Sequence, residues 1–491
     1  MDGNELAQTG IHGLDAVLRG GLPVNRLYLV QGEPGTGKTT LALQFLLAGR
    51  DSGERAMYIS LSETRDELAT VAASHHWDLR DLMVLDLSIL QERLDLEADN
   101  TLFHLHEVEL NQMTSLLCEE IEQHKPARLV FDSLSEMRLL AEAPHRFRRQ
   151  ILLLKQFLVA RNITVLFLDD LTADRKDGIH SLVNGVVTLE RELPSFGIER
   201  RWLAITKLRG VNFHGGRHDS VLKTGGLVVY PRLNAASQDI KPQPLKSVST
   251  GVPNLDLLLG GGLDRGTSTL LLGPAGTGKS TIALQCVRAM AARGERAAIY
   301  AFEEGLTTIL HRSRSVGADI SEYIASGAVH LHKVDPAGMS PGEFASSVCR
   351  HVQEDGVRAV VIDSLNGYML AMSQEHHLML QLHDLLGYLN ELSAVTIMVL
   401  AQQGLTGPMH APADLTYLSD TVIVTRYFEA LGAVKKAVSV IKKRTGPHED
   451  TIRELQIKGD GISVGPPLTQ FRGVLTGVPT YTGTNTAILS D

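Results

Sequence analysis

Two eight-residue stretches carry the most specific chemistry in the chain: GEPGTGKT at 32–39 and GPAGTGKS at 273–280. Both satisfy G-x-x-x-x-G-K-[ST], in which glycines let backbone N–H groups curl around phosphate oxygens. The lysine reaches the β- and γ-phosphates, the following hydroxyl ligates Mg2+, and the helix that opens there turns its positive end to the same anion. The pattern assigns Gly32, Gly35, Thr36, Gly37, Lys38, Thr39 and Thr40 to ATP in the first half of the chain. In the second half it assigns Gly273, Gly276, Thr277, Gly278, Lys279, Ser280 and Thr281. A glycine-rich turn without a ligand is the plain alternative. Two copies, each between an apolar run and an amphipathic helical pattern, speak against it.

A phosphate-bound Mg2+ needs a second acidic partner. ARLVFDSL (127–134) puts Asp132 at the end of an apolar run, and VRAVVIDSL (357–365) puts Asp363 at the equivalent place. Hydrolysis further needs a group that orients or deprotonates the attacking water. Glu63 in LSET, and Glu303 and Glu304 in AFEEG, follow another apolar run and suit that role. The expected metal set is Thr39, Ser280, Asp132, Asp363 and Glu303. Two basic segments, ITKLRG and IKKRTG, contribute Lys207 and Arg209, and Lys442 and Arg444. Such cations can act on a neighbouring subunit's γ-phosphate, as arginine fingers do.

The elements that must hold these residues are duplicated. GLDAVLRGGLPVNRLYLVQGEPGTGKTTLALQFL at 13–46 matches NLDLLLGGGLDRGTSTLLLGPAGTGKSTIALQCV at 254–287, with Lys38 and Lys279 lying 241 residues apart. Asp15 and Asp256, and Glu63 and Glu304, keep the same separation, which leaves Ser62 opposite Glu303. The segment 231–244, rich in proline and small or polar residues, reads as the boundary. The expected division is 1–235, 236–470 and a tail, 471–491. In each half short β-rich apolar runs alternate with helical patterns such as 146–160 and 376–392. That alternation predicts an α/β fold, each half a mostly parallel sheet flanked by helices.

Composition narrows the partners. The net charge of −9 and the lack of a long basic run argue against nucleic acid. Three scattered cysteines give neither a disulfide framework nor a zinc site. No apolar stretch has the length of a membrane helix, and the N-terminus lacks a secretory pattern, so a cytoplasmic protein is expected.

These motifs together resemble the KaiC family, the double-domain RecA-like ATPases of the bacterial circadian clock, over residues 10–475. The resemblance rests on the tandem phosphate loops, AFEEG, DSL after both aspartates, TKLRG, and LSDTVIVTRYFE at 418–429. It implies two tandem RecA-like P-loop NTPase domains and a homohexamer with ATP between subunits. The first half would drive assembly and slow hydrolysis. The second would act as a serine/threonine autokinase. Lys207, Arg209, Lys442 and Arg444 would act across subunit boundaries, and the phosphoacceptors would fall on Thr416 and Tyr417. The family has Ser and Thr there, so the pair departs from it, as does the weakly charged tail. KaiB-like or other signalling protein partners are what the resemblance implies. Glu303 would activate the Thr416 hydroxyl of a neighbouring subunit while Glu304 positions water or Mg2+. A RecA-like DNA motor and a nucleotide-gated scaffold without kinase activity are the competing readings.

The histidine pairs His75–His76 and His376–His377 are each adjacent in sequence and so cannot converge on a metal from one helix face; solvated helix positions are expected. Arg146, Arg148 and Arg149, at a helix start, suit ion pairs or a subunit contact.

Overall fold

The computed structural model describes residues 5–86, 105–171, 178–194, 197–233, 246–335, 337–371, 378–402, 415–430, 432–475 and 479–482. The chain divides into two compact units, Met1–Arg232 and Leu233–Asp491. The expected boundary, 231–244, falls largely outside the described residues, as do His376 and His377.

Each unit is built on a nine-stranded sheet. The first runs Gly226–Tyr230, Arg217–Lys223, Arg200–Leu208, Gly185–Glu192, Leu27–Gly32, Thr164–Asp170, Arg128–Asp132, Ala56–Ser60, Met83–Leu85. The last six of these strands pair in parallel, and the first three add an antiparallel extension. The second sheet repeats this order: Gly461–Pro467, Arg453–Lys458, Ala433–Lys443, Thr421–Ala430, Thr267–Pro274, Val395–Gln402, Val357–Asp363, Arg296–Ala301, Val329–Lys333. Its parallel and antiparallel portions divide at the same place. The mostly parallel sheet read from the alternating runs is what the chain forms. The antiparallel extension, which carries both basic segments, was not foreseen.

The central strand shows why its sequence is continuously apolar. Leu27 and Leu29 enter a core with Phe147, Ile151 and Leu154, while Tyr28 and Val30 enter another with Leu41, Phe45 and Leu46. A parallel strand covered on both faces has no solvent side for polar residues. Helices supply the cover with one stripe each. Phe147, Ile151, Leu154 and Leu158 are the buried face of Pro144–Val159, whereas Leu152 and Leu153 are exposed. In the second half Leu378, Leu382, Leu385 and Leu389 of Leu378–Glu391 do the same. The parallel register brings the C-terminal ends of these strands together. Gly32, Ser60, Asp132 and Asp170 gather at one end of the first sheet, and Gly273, Ala301, Asp363 and Ala401 at that end of the second. Crevices outside those ends are where open α/β sheets bind ligands.

Candidate active sites

The two phosphate loops have the same backbone. Gly35 and Gly37 take φ of 77° and 102°, and Gly276 and Gly278 take 78° and 102°. Only glycine adopts these values freely, and a Cβ on Gly276 would lie 2.5 Å from the Tyr427 hydroxyl. Gly37 and Gly278 are the N-caps of Lys38–Asp51 and Lys279–Ala292, so each helix opens at its loop. The buried hydroxyls of Thr36 and Thr277 donate to Glu33 O at 2.8 Å and Pro274 O at 2.9 Å, folding the loops onto themselves. Thr277 also meets the Thr425 hydroxyl at 2.6 Å. Thr40 and Thr281 are buried one residue beyond the hydroxyls of Thr39 and Ser280.

The lysines differ in their surroundings. Lys38 Nζ donates to Gly32 O at 2.8 Å and pairs with Asp170 at 2.9 Å. The position of Asp170, which faces Gly32 across the sheet, is taken in the second half by Ala401, which faces Gly273. Lys279 is buried and donates to Pro274 O at 2.6 Å. Burial pulls its pKa down to about 8 against the opposing pull of Asp363 and Glu303. Asp170 was not singled out from sequence, although TVLFLDD places it at an apolar strand end.

Asp132 and Asp363 stand beside these lysines, and burial raises the pKa of both. Asp132 is held by the Tyr58 hydroxyl at 2.5 Å, with Thr39 as a further donor. Ser280, the counterpart of Thr39, likewise donates to Asp363, and Ile299 at the place of Tyr58 supplies no second donor. Each aspartate is followed by a cis peptide bond to serine. The structure thus brings Lys38, Thr39 and Asp132 together, and likewise Lys279, Ser280 and Asp363.

The acidic loops lie next to these aspartates because the neighbouring strand keeps its pairing past the end. Leu61 N donates to Asp132 O at 2.5 Å and Phe302 N to Asp363 O at 2.7 Å. Glu63 is half-buried, its Oε2 has no hydrogen-bond partner, and burial followed by the charges of Asp132 and Glu67 raises its pKa. Ser62 is exposed. In the second half Glu303 accepts from the Ser364 hydroxyl at 2.8 Å, and Glu304 pairs with Arg312 at 2.6 Å. Neither Ser364 nor Arg312 was singled out from sequence. The helix after Glu63, Arg65–Ser74, opens with a capping box between Thr64 and Glu67.

The four basic candidates do not reach the phosphate loops of their own halves. Lys207 faces Val186, which pairs at the level of Leu29, three residues short of Gly32, or roughly 10 Å along the sheet. Lys442 faces Val422, level with Leu270 and three residues short of Gly273. Lys207 Nζ donates to the carbonyls of His180 and Val183, and burial lowers its pKa. Arg209 is exposed. Lys442 Nζ donates to the carbonyls of Thr416 and Ser419, and Arg444 to that of Tyr417, with a longer contact to Asp420. Thr416 is half-buried. Tyr417 is 56% exposed. His75 ends its helix instead of lying on a helix face, its ring tilted against that of Trp77 with centroids 4.7 Å apart and hydrogen-bonded to Lys223 O.

A mostly parallel sheet with a phosphate loop, a strand-end aspartate and an acidic loop at one end defines a P-loop nucleoside triphosphatase domain, here present twice. The family model described as "ATPase: KaiC" matches residues 7–234 and again 248–469. The chain belongs to the KaiC family of ATPases. Proteins named circadian clock oscillator protein KaiC are similar over nearly its full length. That of Parasynechococcus marenigrum is 26% identical over 484 residues, covering 96% of this chain and 92% of that protein. That of Nostoc sp. is 26% identical, covering 98% and 92%, and that of Synechococcus elongatus 26%, covering 96% and 91%. Among the described residues no helix is long and apolar enough to cross a membrane.

Proposed function

We propose that both halves bind ATP with Mg2+ at the interfaces of a homohexamer, that the first half hydrolyses it, and that the second transfers its γ-phosphoryl group to a hydroxyl of the chain. The observation that carries this reading is the asymmetry of the acidic loops. The first half offers Glu63 alone, whereas the second adds Glu303, exposed and held by Ser364 beside Asp363. Thr39 with Asp132, and Ser280 with Asp363, offer the hard oxygens that Mg2+ prefers, and Mg2+ supplies neutralisation of the phosphate charge. Lys38 and Lys279 hold the β- and γ-phosphates, while Glu63 and Glu304 orient water. Glu303 takes the proton of an acceptor hydroxyl, that of Thr416 or Tyr417.

Two features support action between subunits. Lys207, Arg209, Lys442 and Arg444 lie away from the phosphate loops of their own halves, and Lys442 and Arg444 grip the Thr416–Asp420 segment. The likeness to clock proteins supports self-association; the cytoplasmic location, signalling-protein partners and lack of nucleic-acid binding in this reading rest on composition and on the family resemblance.

Incubation with γ-labelled ATP followed by phosphopeptide mapping tests the reading. Label is expected on 410–421, of which 410–414 lie outside the described residues, and is lost in Thr416→Ala or Tyr417→Phe. ATP consumption with no label on that peptide removes the kinase step and leaves an ATPase.

A further inference from the structure

The acidic loop of the second half is gripped by two cations that its counterpart lacks. Arg312, on the helix Leu306–Ser315, places Nη1 2.6 Å from Glu304 Oε2. Lys333, the last residue of the strand Val329–Lys333, donates from Nζ to the carbonyls of Phe302 at 2.7 Å and Glu304 at 3.3 Å. One cation therefore fixes the carboxylate and the other fixes the backbone on both sides of Glu303.

The repeat supplies its own control. Val71 stands 241 residues before Arg312 and can make no ion pair. The register that pairs Ala301 with Lys333 pairs Ile59 with Leu85 in the first half, bringing Asp86 to the place of Lys333. Asp86 carries the opposite charge and accepts from the backbone N–H of Arg65. Glu63, left without either cation, keeps an unpartnered buried oxygen. Arg312 is not explained as a surface clasp, because its Nε and Nη2 are buried without acceptors, an arrangement that costs stability.

We propose that Arg312 and Lys333 are positioning residues of the second active site, holding Glu304 and the backbone around Glu303 in the geometry needed at the γ-phosphate. The claim rests on the reading that these glutamates serve phosphoryl chemistry. A carboxylate swinging on an exposed loop loses the fixed placement on which such chemistry depends, and misplacement by about 1 Å can cost up to about 100-fold in rate.

The test uses the full chain carrying Glu63→Gln, so that residual ATP turnover reports the second half. Arg312→Val is expected to lower kcat roughly tenfold with KM for ATP within about twofold, and Arg312→Lys to restore part of it. In a Glu304→Gln background Arg312→Val should change little, since its partner is already neutral. Lys333→Met should lower kcat in both backgrounds, because it acts on the backbone. Thermal melting separates these effects from misfolding. A rise in KM that persists in Glu304→Gln would show Arg312 contacting nucleotide directly and overturn the proposal. Equal kcat losses in both backgrounds, unchanged kcat in every variant, or no turnover in the Glu63→Gln chain would overturn it too. Loss of peptide label with turnover intact would instead refute the kinase reading and leave this one standing.

Discussion

The two sites share a backbone and differ in how their charges are compensated. In the first, Asp170 neutralises the phosphate-loop lysine, Tyr58 holds the buried aspartate, and Glu63 has one carboxylate oxygen with no partner. In the second, Lys279 is buried with no acid at the position of Asp170. A serine holds each of Asp363 and Glu303, and Arg312 takes Glu304. Duplication preserved what the phosphate needs from the main chain and let the side chains around the reacting atom diverge. The difference is consistent with one site working on water and the other on a protein hydroxyl.

The largest effects should come from the glutamates. Glu63→Gln is expected to lower steady-state hydrolysis by about 100-fold or more where the first half dominates, the usual scale of a lost general base. Glu303→Gln should abolish peptide label while sparing most hydrolysis; equal losses of hydrolysis in both variants would break the division of labour. The same assay across pH sharpens it. Since burial, Asp132 and Glu67 raise the Glu63 pKa, and only its carboxylate can serve as base, first-half turnover should fall as pH drops through a point above the usual carboxylate range. A limb at the ordinary glutamate value would place Glu63 outside the reaction.

Next in size are the phosphate-loop lysines. Lys38→Ala and Lys279→Ala should each weaken ATP binding at the altered half by roughly 100-fold, about 3 kcal/mol for lost charge-assisted bonds, and leave the other half within about twofold. Calorimetric stoichiometry falling from two ATP per chain to one checks this. If either substitution empties both halves, the sites are not independent.

A smaller effect follows from the burial of Lys279. Its pKa of about 8 means that it is largely charged at pH 7 and loses that charge as pH rises through 8. In the Lys38→Ala chain, ATP affinity should therefore fall by up to about tenfold per pH unit above 8, the most that one lost proton allows. Binding at pH 8 should take up a fraction of a proton, readable from calorimetry in buffers of different ionisation enthalpy. Binding independent of pH from 7 to 9 would mean that bound water or phosphate restores the lysine's charge.

What sequence could show follows from the physics. The phosphate loops were legible because the anion demands specific glycines, a lysine and a hydroxyl at fixed spacing, and Asp132 and Asp363 because they end apolar runs. The parallel sheet was legible because both faces are covered. Illegible were contacts made between distant segments. Nothing in AMYIS reveals that Tyr58 meets Asp132, and Arg312 and Lys333 reach AFEEG only through a helix turn and a strand register. The antiparallel extension escaped notice too, because polar residues such as Arg201, His218, Asp219 and Ser220 are buried in its strands and blur the apolar–polar alternation.

Tyr58 gives the finest test of the comparison. Its ring is fully buried, and its hydroxyl is the short donor to a carboxylate that is 6% exposed. Tyr58→Phe removes the donor, leaves the ring in place, and strips Asp132 of one of the interactions that offset burial, so its pKa should climb further. The loss should cost the first half about 1–3 kcal/mol, the range for leaving a buried acceptor unmet. Both tryptophans, Trp77 and Trp202, lie in that half, so their fluorescence during urea unfolding reports its stability without the second half's contribution. Ile299, at the matching place, predicts no such dependence for Asp363. A change below about 0.5 kcal/mol would mean that Thr39 or water replaces the hydroxyl, and Tyr58 would then not distinguish the two sites.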